Sequence, residues 1–273
     1  MTVSISNMAQ VWMSNTNTYN GIAMSISTMG YGANTRSRLF KLSVDGNTKF
    51  DIDANGNITA SGNVVSNNQK VQAPTRTVYT SGSGTYTVPT GVKWLSIRMI
   101  AGGGGGGGGS TGQTNGTAGS NTTFGTSLVT CTGGGAGKAS AAPDAGGIAI
   151  INSPASGFGI QGGTGGQNTG MGNMIGPTAG VGPFGGAGST ASINGAGQPG
   201  MPNSGAGGSG AGCGAAGGSS SGGSAGGYAD VIISSPNATY AYSVGNGGNG
   251  GGGPIAGGAG GSGIIIIQEH YNY

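Results

Sequence analysis

Lys93-Trp94-Leu95-Ser96-Ile97-Arg98-Met99-Ile100-Ala101, running straight into eight glycines from Gly102 to Gly109, holds both kinds of structure from which this chain is built. In the first half Leu95, Ile97 and Met99 alternate with Trp94, Ser96 and Arg98, a period of two that sends one set of side chains to a core. The second half has no side chains to bury. Working outward, Val78 to Thr80 and Thr85 to Val88 read as strands, with Pro89-Thr90-Gly91 as the turn before Lys93 to Ile100. Three more strands are expected near the C-terminus: Tyr228 to Ser234, Thr239 to Val244 and Gly263 to Tyr271. The run Ile264 to Ile267 lacks alternation, which predicts a central strand buried on both faces. A β scaffold (77–101 and 228–273) therefore brackets a glycine region (102–227), and the expected fold class is all-β plus glycine helices with essentially no α-helix.

Between Gly102 and Gly263 lie 59 of the 68 glycines. Their spacing is not every third residue, which excludes a collagen triple helix. A flexible linker is one reading, since such segments behave as random coils. Against it stand Ile148, Ile150, Ile151, Phe158, Ile160, Met171, Met174, Ile175, Phe184, Ile193 and Met201, which a free linker has no reason to carry. The sharper reading is a bundle of extended, polyproline-II-like glycine helices. That helix has no internal hydrogen bonds, so its amides and carbonyls must be satisfied by neighbours, and only Gly-rich faces approach closely enough. At about 3.1 Å per residue, Gly102 to Gly109 would span roughly 25 Å. The non-glycine clusters, 149–160, 167–177, 181–184 and 198–203, are the expected loops between helices.

The first 66 residues are different. Residues 1–73 carry six glycines and most of the charge, and Arg38 to Val44, Thr48 to Asp53 and Asn57 to Ser61 read as a short meander with turns at Asp45-Gly46 and Asn55-Gly56. Phe50 and Ile52 alternate with Lys49, Asp51 and Asp53, giving one apolar face on a sheet too small to stand alone. The module is expected to trimerise or to dock on another protein. The polar, then proline-broken stretch from Gly62 to Pro74 reads as a linker or neck, which as a segment between the two domains is placed at 67–76. Charged residues are only 5% of the chain and the net charge is +3, with no basic cluster, so nucleic-acid binding is not expected. No secretory leader or bilayer-length apolar run is read at the N-terminus or elsewhere. Cys131 and Cys213 are too sparse for a disulfide scaffold and lack metal-ligand spacing; buried thiols and a bridge both remain open.

The stretch from Thr85 through Val88-Pro89-Thr90-Gly91-Val92 to Ala101 and polyglycine resembles the opening of the glycine-rich domain found at the ends of many phage tail fibres. Tyr242-Ser243-Val244-Gly245-Asn246-Gly247-Gly248, then Ala259-Gly260-Gly261-Ser262-Gly263 and the isoleucines, resembles its close. Phe40 to Gly62 is similar to the repeated unit of fibre shafts. The resemblance covers residues 1–66 and 77–273. It implies polyglycine-II helices like those of T-even-like phage adhesins, a homotrimer located in the virion tail fibre, other virion tail proteins as partners of the N-terminal module, and a host-cell surface receptor, an outer-membrane protein or surface glycan, as the partner of the tip.

No catalytic constellation is read. His270 is the chain's one histidine, and Asp51 and Asp53 read as solubilising charges. Gly133 to Ala139 imitates a phosphate loop, but Ala139 stands where a magnesium-ligating Ser or Thr is needed and no strand–helix pattern surrounds it. Neither a cofactor nor a metal is expected, and the chain is not expected to be an enzyme. The candidate receptor contacts are large apolar residues of the glycine region, Phe158, Met171, Met174, Phe184 and Met201; the competing reading has them plugging gaps between bundle and sheet. Two other functions stay open: an ice-binding glycine bundle and an inert glycine-rich structural protein.

Overall fold

The computed structural model describes residues 38–44, 47–53, 58–61, 65–66, 69–70, 72–168, 175–213 and 219–271. The chain divides into two units, Met1–Val64 and Val65–Tyr273. No helix occurs among the described residues.

In the first unit β1 (Arg38–Val44), β2 (Asn47–Asp53) and β3 (Ile58–Ala60) form the expected antiparallel meander in the order β1-β2-β3. The register sets Phe40 opposite Ile52 opposite Ile58, and Leu42 opposite Phe50 opposite Ala60, so the apolar residues share one face. That face is not sealed within the unit: Phe50 and Ile52 are half-buried and Ile58 is exposed. The two expected turns, at 45–46 and 55–56, and the side chains of Asp51 and Asp53 lie outside the described residues.

The second unit begins inside the stretch read as a linker. Within that stretch β4 (Val65–Ser66) pairs antiparallel with β5 (Gln69–Lys70). Beyond it come β6 (Thr75–Tyr79), β7 (Ser83–Thr87), β8 (Trp94–Ile100), β9 (Thr122–Phe124), β10 (Val129–Cys131), β11 (Ala149–Ile151), β12 (Ser156–Ile160), β13 (Tyr228–Ile233), β14 (Thr239–Ser243) and β15 (Ile264–His270). They make two antiparallel five-stranded sheets, β12-β13-β8-β15-β6 and β11-β10-β9-β14-β7. One core joins them: Leu95, Ile97, Met99, Val231, Ile233, Ile265 and Ile267 from the first sheet meet Tyr86, Phe124, Val129, Cys131 and Tyr240 from the second. Leu95, Ile97 and Met99 face inward, as their alternation predicts.

Ile264–Ile267 corrects an expectation. β15 is interior to its sheet, between β8 and β6, but only Ile265 and Ile267 reach the core; Ile264 and Ile266 lie half-buried on the outer face. Four identical residues hide the period of two that the backbone imposes anyway. Two further corrections concern position. The strand expected at 78–80 lies at Thr75–Tyr79, and the cluster 149–160, expected as a loop, forms β11 and β12. Four strands of the sandwich thus come from inside the region read as glycine bundle.

Each strand of the sandwich that borders a glycine tract runs straight on into it. β8 continues as 101–109, β10 as 133–138, β12 as 161–168 and β14 as 245–252, while 114–120, 144–147, 219–227 and 255–263 lead into β9, β11, β13 and β15. Around 102–109 the amides rotate among three partners. Ala101, Gly104 and Gly107 donate to Gly227, Ser224 and Ser221; Gly102, Gly105 and Gly108 donate to Ser120, Thr117 and Thr114; Gly103, Gly106 and Gly109 donate to Gly261, Gly258 and Ile255, all at 2.8 to 3.1 Å. The carbonyls rotate likewise, accepting from Gly134 and Gly137, from Gly248 and Gly251, and from Gly208 and Ala211. Three antiparallel and three parallel segments therefore surround this one, and every third residue addresses the same neighbour. A Cβ on Gly102, Gly105 or Gly108 would lie 2.0 to 2.2 Å from the carbonyl oxygens of Asn246, Asn249 and Gly252, so only glycine fits. Segments 205–212 and 221–227 are enclosed in the same way, and both are buried throughout.

Candidate functional site

Chain direction sorts the turns into two ends. The polypeptide reaches the sandwich at Thr75, beside Glu269, at the end of the sheets away from the glycine segments. The segments leaving the sheets reverse at 110–113 and 139–143, and those returning begin after the turns 189–194 and 253–254, so these turns gather at the far end of the glycine segments. Ser110 (φ 75°), Gly112 (φ 73°), Asn194 (φ 57°) and Gly253 (φ 140°) close them through left-handed backbone.

Side chains tie this end together. The Gln113 amide donates to the carbonyl of Ala139, to Ser140 Oγ (2.9 Å) and to the carbonyl of Ser219 (3.3 Å), joining three passes of the chain. Asn115 Oδ1 accepts from the amide of Ala139 at 2.9 Å, and Ser221 Oγ accepts from the amide of Lys138 at 2.7 Å. Lys138 Nζ and Asp144 form an ion pair at 2.5 Å that leaves the local charge balanced. These bonds hold the turns in fixed relation to a lattice that itself has little freedom.

The sequence-derived contact residues divide between two places. Met171 and Met174 lie outside the described residues; Gln167 and Ile175, which flank them, end their segments at the far end. Phe158, Phe184 and Met201 are brought together elsewhere, at the junction of sandwich and glycine segments. Phe158 lies on β12 on the outer face of its sheet, opposite Asp230, and is 56% exposed. Phe184 sits in the turn 182–186, with its ring edge-on to Tyr228 at 5.5 Å. Met201 follows Gly200 at the neighbouring turn, its amide bonded to the Gly186 carbonyl, and is 64% exposed. Phe184 thus does partly fill a gap against the sheet, whereas Phe158 and Met201 present most of their surface to solvent.

Other polar groups are already engaged. In the stretch that imitates a phosphate loop, the amides of Gly133, Gly134, Gly135, Gly137, Lys138 and Ala139 donate to Asn121, Gly102, Ala145, Gly105, Ser221 and Asn115, so no cradle of free amides remains for a phosphate. Glu269, which sequence reading passed over, is buried and accepts from Thr75 Oγ1 (2.9 Å), Thr77 Oγ1 (2.7 Å) and Tyr86 Oη (3.0 Å). The signal was present: counting in twos from Ile265 and Ile267 puts Glu269 on the core face. Burial, reinforced by the Glu269 carboxylate, raises the Tyr86 pKa far above the ordinary phenol value, so its hydroxyl stays a donor. Cys131 and Cys213 are both free and buried, and burial pushes the Cys131 thiol up to about 12, far from the range of a reactive thiolate. His270 stacks on Trp94 with ring centroids 3.5 Å apart, and burial lowers its pKa, opposed by Glu269.

Among the described residues no three His, Cys, Asp or Glu side chains cluster as metal ligands, and no helix is long and apolar enough to cross a membrane. Comparison with protein-family models, with curated proteins and with solved structures finds no match to the chain.

Proposed function

We propose that the chain is a phage tail-fibre protein and adhesin, that its glycine segments are polyglycine-II helices, and that turns at the far end of those helices bind a host-cell surface receptor. One observation supports this most: the polypeptide enters the sandwich at the end opposite the far-end turns, and eight of its ten strands, all but β6 and β7, run into or out of a cross-bonded glycine segment. That is the layout of a stiff spacer. A rotation of hydrogen bonds with period three fits polyglycine II, which has three residues per turn and no internal bonds. Residues 1–66 would fix the chain to other virion tail proteins, most simply as a homotrimer, since Ile58 on the apolar side of the meander is exposed. Contact through several copies would multiply a weak individual affinity.

The reading is tested by competition for adsorption. Purified chain should block phage attachment to host cells, and replacing residues 168–174 or 189–194 by unrelated sequences of equal length should remove the block. Replacing 234–238, at the opposite end of the sandwich, should leave it intact. Equal blocking by all three would overturn the assignment of the far end. A second reading has its own observation: Gln161, Thr164 and Gln167 beside Ile175, Thr178 and Val181 form exposed rows at every third residue, a regular array of the kind an ice surface would match. Thermal hysteresis of the purified chain decides for or against it.

A further inference from the structure

At the end of the sandwich away from the glycine segments, three turns converge on one cleft. They are 125–128 between β9 and β10, 152–155 between β11 and β12, and 234–238 between β13 and β14. The cleft encloses about 440 Å³, within the ~300 to 1,000 Å³ of ordinary small-molecule sites. Its walls are tied to one another by the chain itself. Asn152 Nδ2 donates to the Ser127 carbonyl at 2.6 Å and the Asn152 amide to the Leu128 carbonyl at 2.9 Å, which fastens the second turn to the first. The Gly125 amide donates to the Ala241 carbonyl at 2.7 Å, which fastens the first turn to β14. The Asn237 amide donates to Tyr240 Oη at 2.8 Å, and the Tyr240 ring stacks on Phe124 with centroids 4.8 Å apart. The third turn is thereby anchored on the core.

The chemistry of the lining is narrow. Five of the ten lining residues, Thr126, Ser127, Ser153, Asn237 and Thr239, carry a hydroxyl or a carboxamide, and none of the ten is charged. All five are exposed, and their side chains have no hydrogen-bond partner among the described residues. The hydroxyls of Thr114, Thr117, Ser209, Ser221 and Ser224, by contrast, are bound to neighbouring backbone in the glycine segments. Leu128, Pro154 and Tyr240 supply the apolar part of the lining.

We infer that this cleft is a binding site for an uncharged sugar unit. Hydroxyls that both donate and accept, with a carboxamide that does each from a fixed side, suit a ligand that presents hydroxyls in several directions. The apolar residues beside them suit the C–H surface of its ring. A phosphate, an acidic sugar or an amino acid would leave water for a lining with no opposite charge, at a heavy cost. A wholly apolar ligand would strip five polar side chains of water without replacing their bonds. The cleft lies at the opposite end of the second unit from the turns assigned to the receptor, so the inference does not rest on that assignment.

The experiment titrates the full chain with glucose, galactose, N-acetylglucosamine and disaccharides of each, followed by saturation-transfer difference NMR, with glucuronic acid as the charged counterpart. At least one neutral sugar should bind. Asn237→Ala combined with Thr239→Val should weaken it about tenfold or more, through two lost hydrogen bonds. Slow amide exchange of 102–109 in the double variant shows that the fold is intact. Replacing 189–194 should leave sugar binding unchanged, so the titration and the adsorption assay fail independently. The methyl glycoside of the bound sugar separates two sources, and either result supports the site: equal binding identifies the chain end of a glycan, and binding of the reducing sugar alone identifies a free sugar. Absence of binding by every neutral sugar up to ~20 mM, well above a millimolar Kd, overturns the inference. Glucuronic acid bound as tightly as the neutral sugars overturns it too, as does a double variant that binds like the wild type.

Discussion

Placing one methyl group on the enclosed glycine segment measures how much the lattice contributes. In Gly105→Ala the new Cβ would lie 2.0 Å from the Asn249 carbonyl oxygen, 2.4 Å from its carbon and 2.8 Å from the Gly250 nitrogen. The obstacle is backbone, so no rotamer relieves it, and segment 245–252 must retreat by more than an ångström. That segment is held by Gly248 and Gly251 donating to Gly103 and Gly106, each at 2.8 Å. Overpacking alone costs about 1 to 3 kcal/mol. Breaking one or two of these buried bonds adds about 1 to 3 kcal/mol for each group left unpaired. The expected loss is therefore about 2 to 9 kcal/mol, a large part of the ~5 to 15 kcal/mol that holds an ordinary domain together. Gly252→Ala is the matched control, because its Cβ meets only Thr114 Oγ1 at 3.5 Å, and its expected change is within about 0.5 kcal/mol. Guanidinium denaturation followed by Trp94 fluorescence and by exchange of residues 102–109 reads both. If Gly105→Ala matched Gly252→Ala to within 0.5 kcal/mol, the close approach of the segments would be refuted.

Two further outcomes test the sandwich. Tyr86→Phe removes one of three donors to the buried Glu269 carboxylate, and hydrogen bonds to charged groups contribute about 1.5 to 3 kcal/mol, so the denaturation midpoint should fall by a corresponding amount; an unchanged midpoint would mean that the carboxylate is not held as described. His270 has its pKa lowered by burial, so the folded chain binds fewer protons there than the unfolded one; its contribution is complete above the ordinary value of about 6.5 and is lost as pH falls below it. Stability of the wild type should therefore drop more between pH 7.5 and 5.5 than that of His270→Phe, and equal drops would contradict the assignment.

Sequence reading found the strands whose side chains alternate. Leu95, Ile97 and Met99 placed β8, and Phe50 and Ile52 placed β2, because a period of two survives in any strand with one buried face. β9 and β10 were missed for the opposite reason. Three residues each, Thr122–Phe124 and Val129–Cys131 are too short to show a period, and only their pairing with β14 and with each other makes them strands. The glycine region announced that its backbone must find partners but not which ones, since a segment with six neighbours and identical residues carries no register of its own. The junction that gathers Phe158, Phe184 and Met201 was likewise illegible: one lies on a strand and two in turns, and 43 residues separate the first from the last.

The enclosed segments also set how the two halves of the second unit respond to temperature. Exposing apolar surface raises the heat capacity by about 0.45 cal/K/mol/Å², while exposing polar surface lowers it by about 0.26. The sandwich core is Leu, Ile, Val, Met and aromatic residues, so its unfolding carries the usual large positive increment and its stability curve is strongly bowed. Segments 102–109, 205–212 and 221–227 bury peptide groups and little else, so their unfolding carries a small increment and a shallow curve. Chilling weakens the drive that holds a greasy core but leaves a scaffold of amides nearly untouched, and the turns it carries keep their shape in the cold.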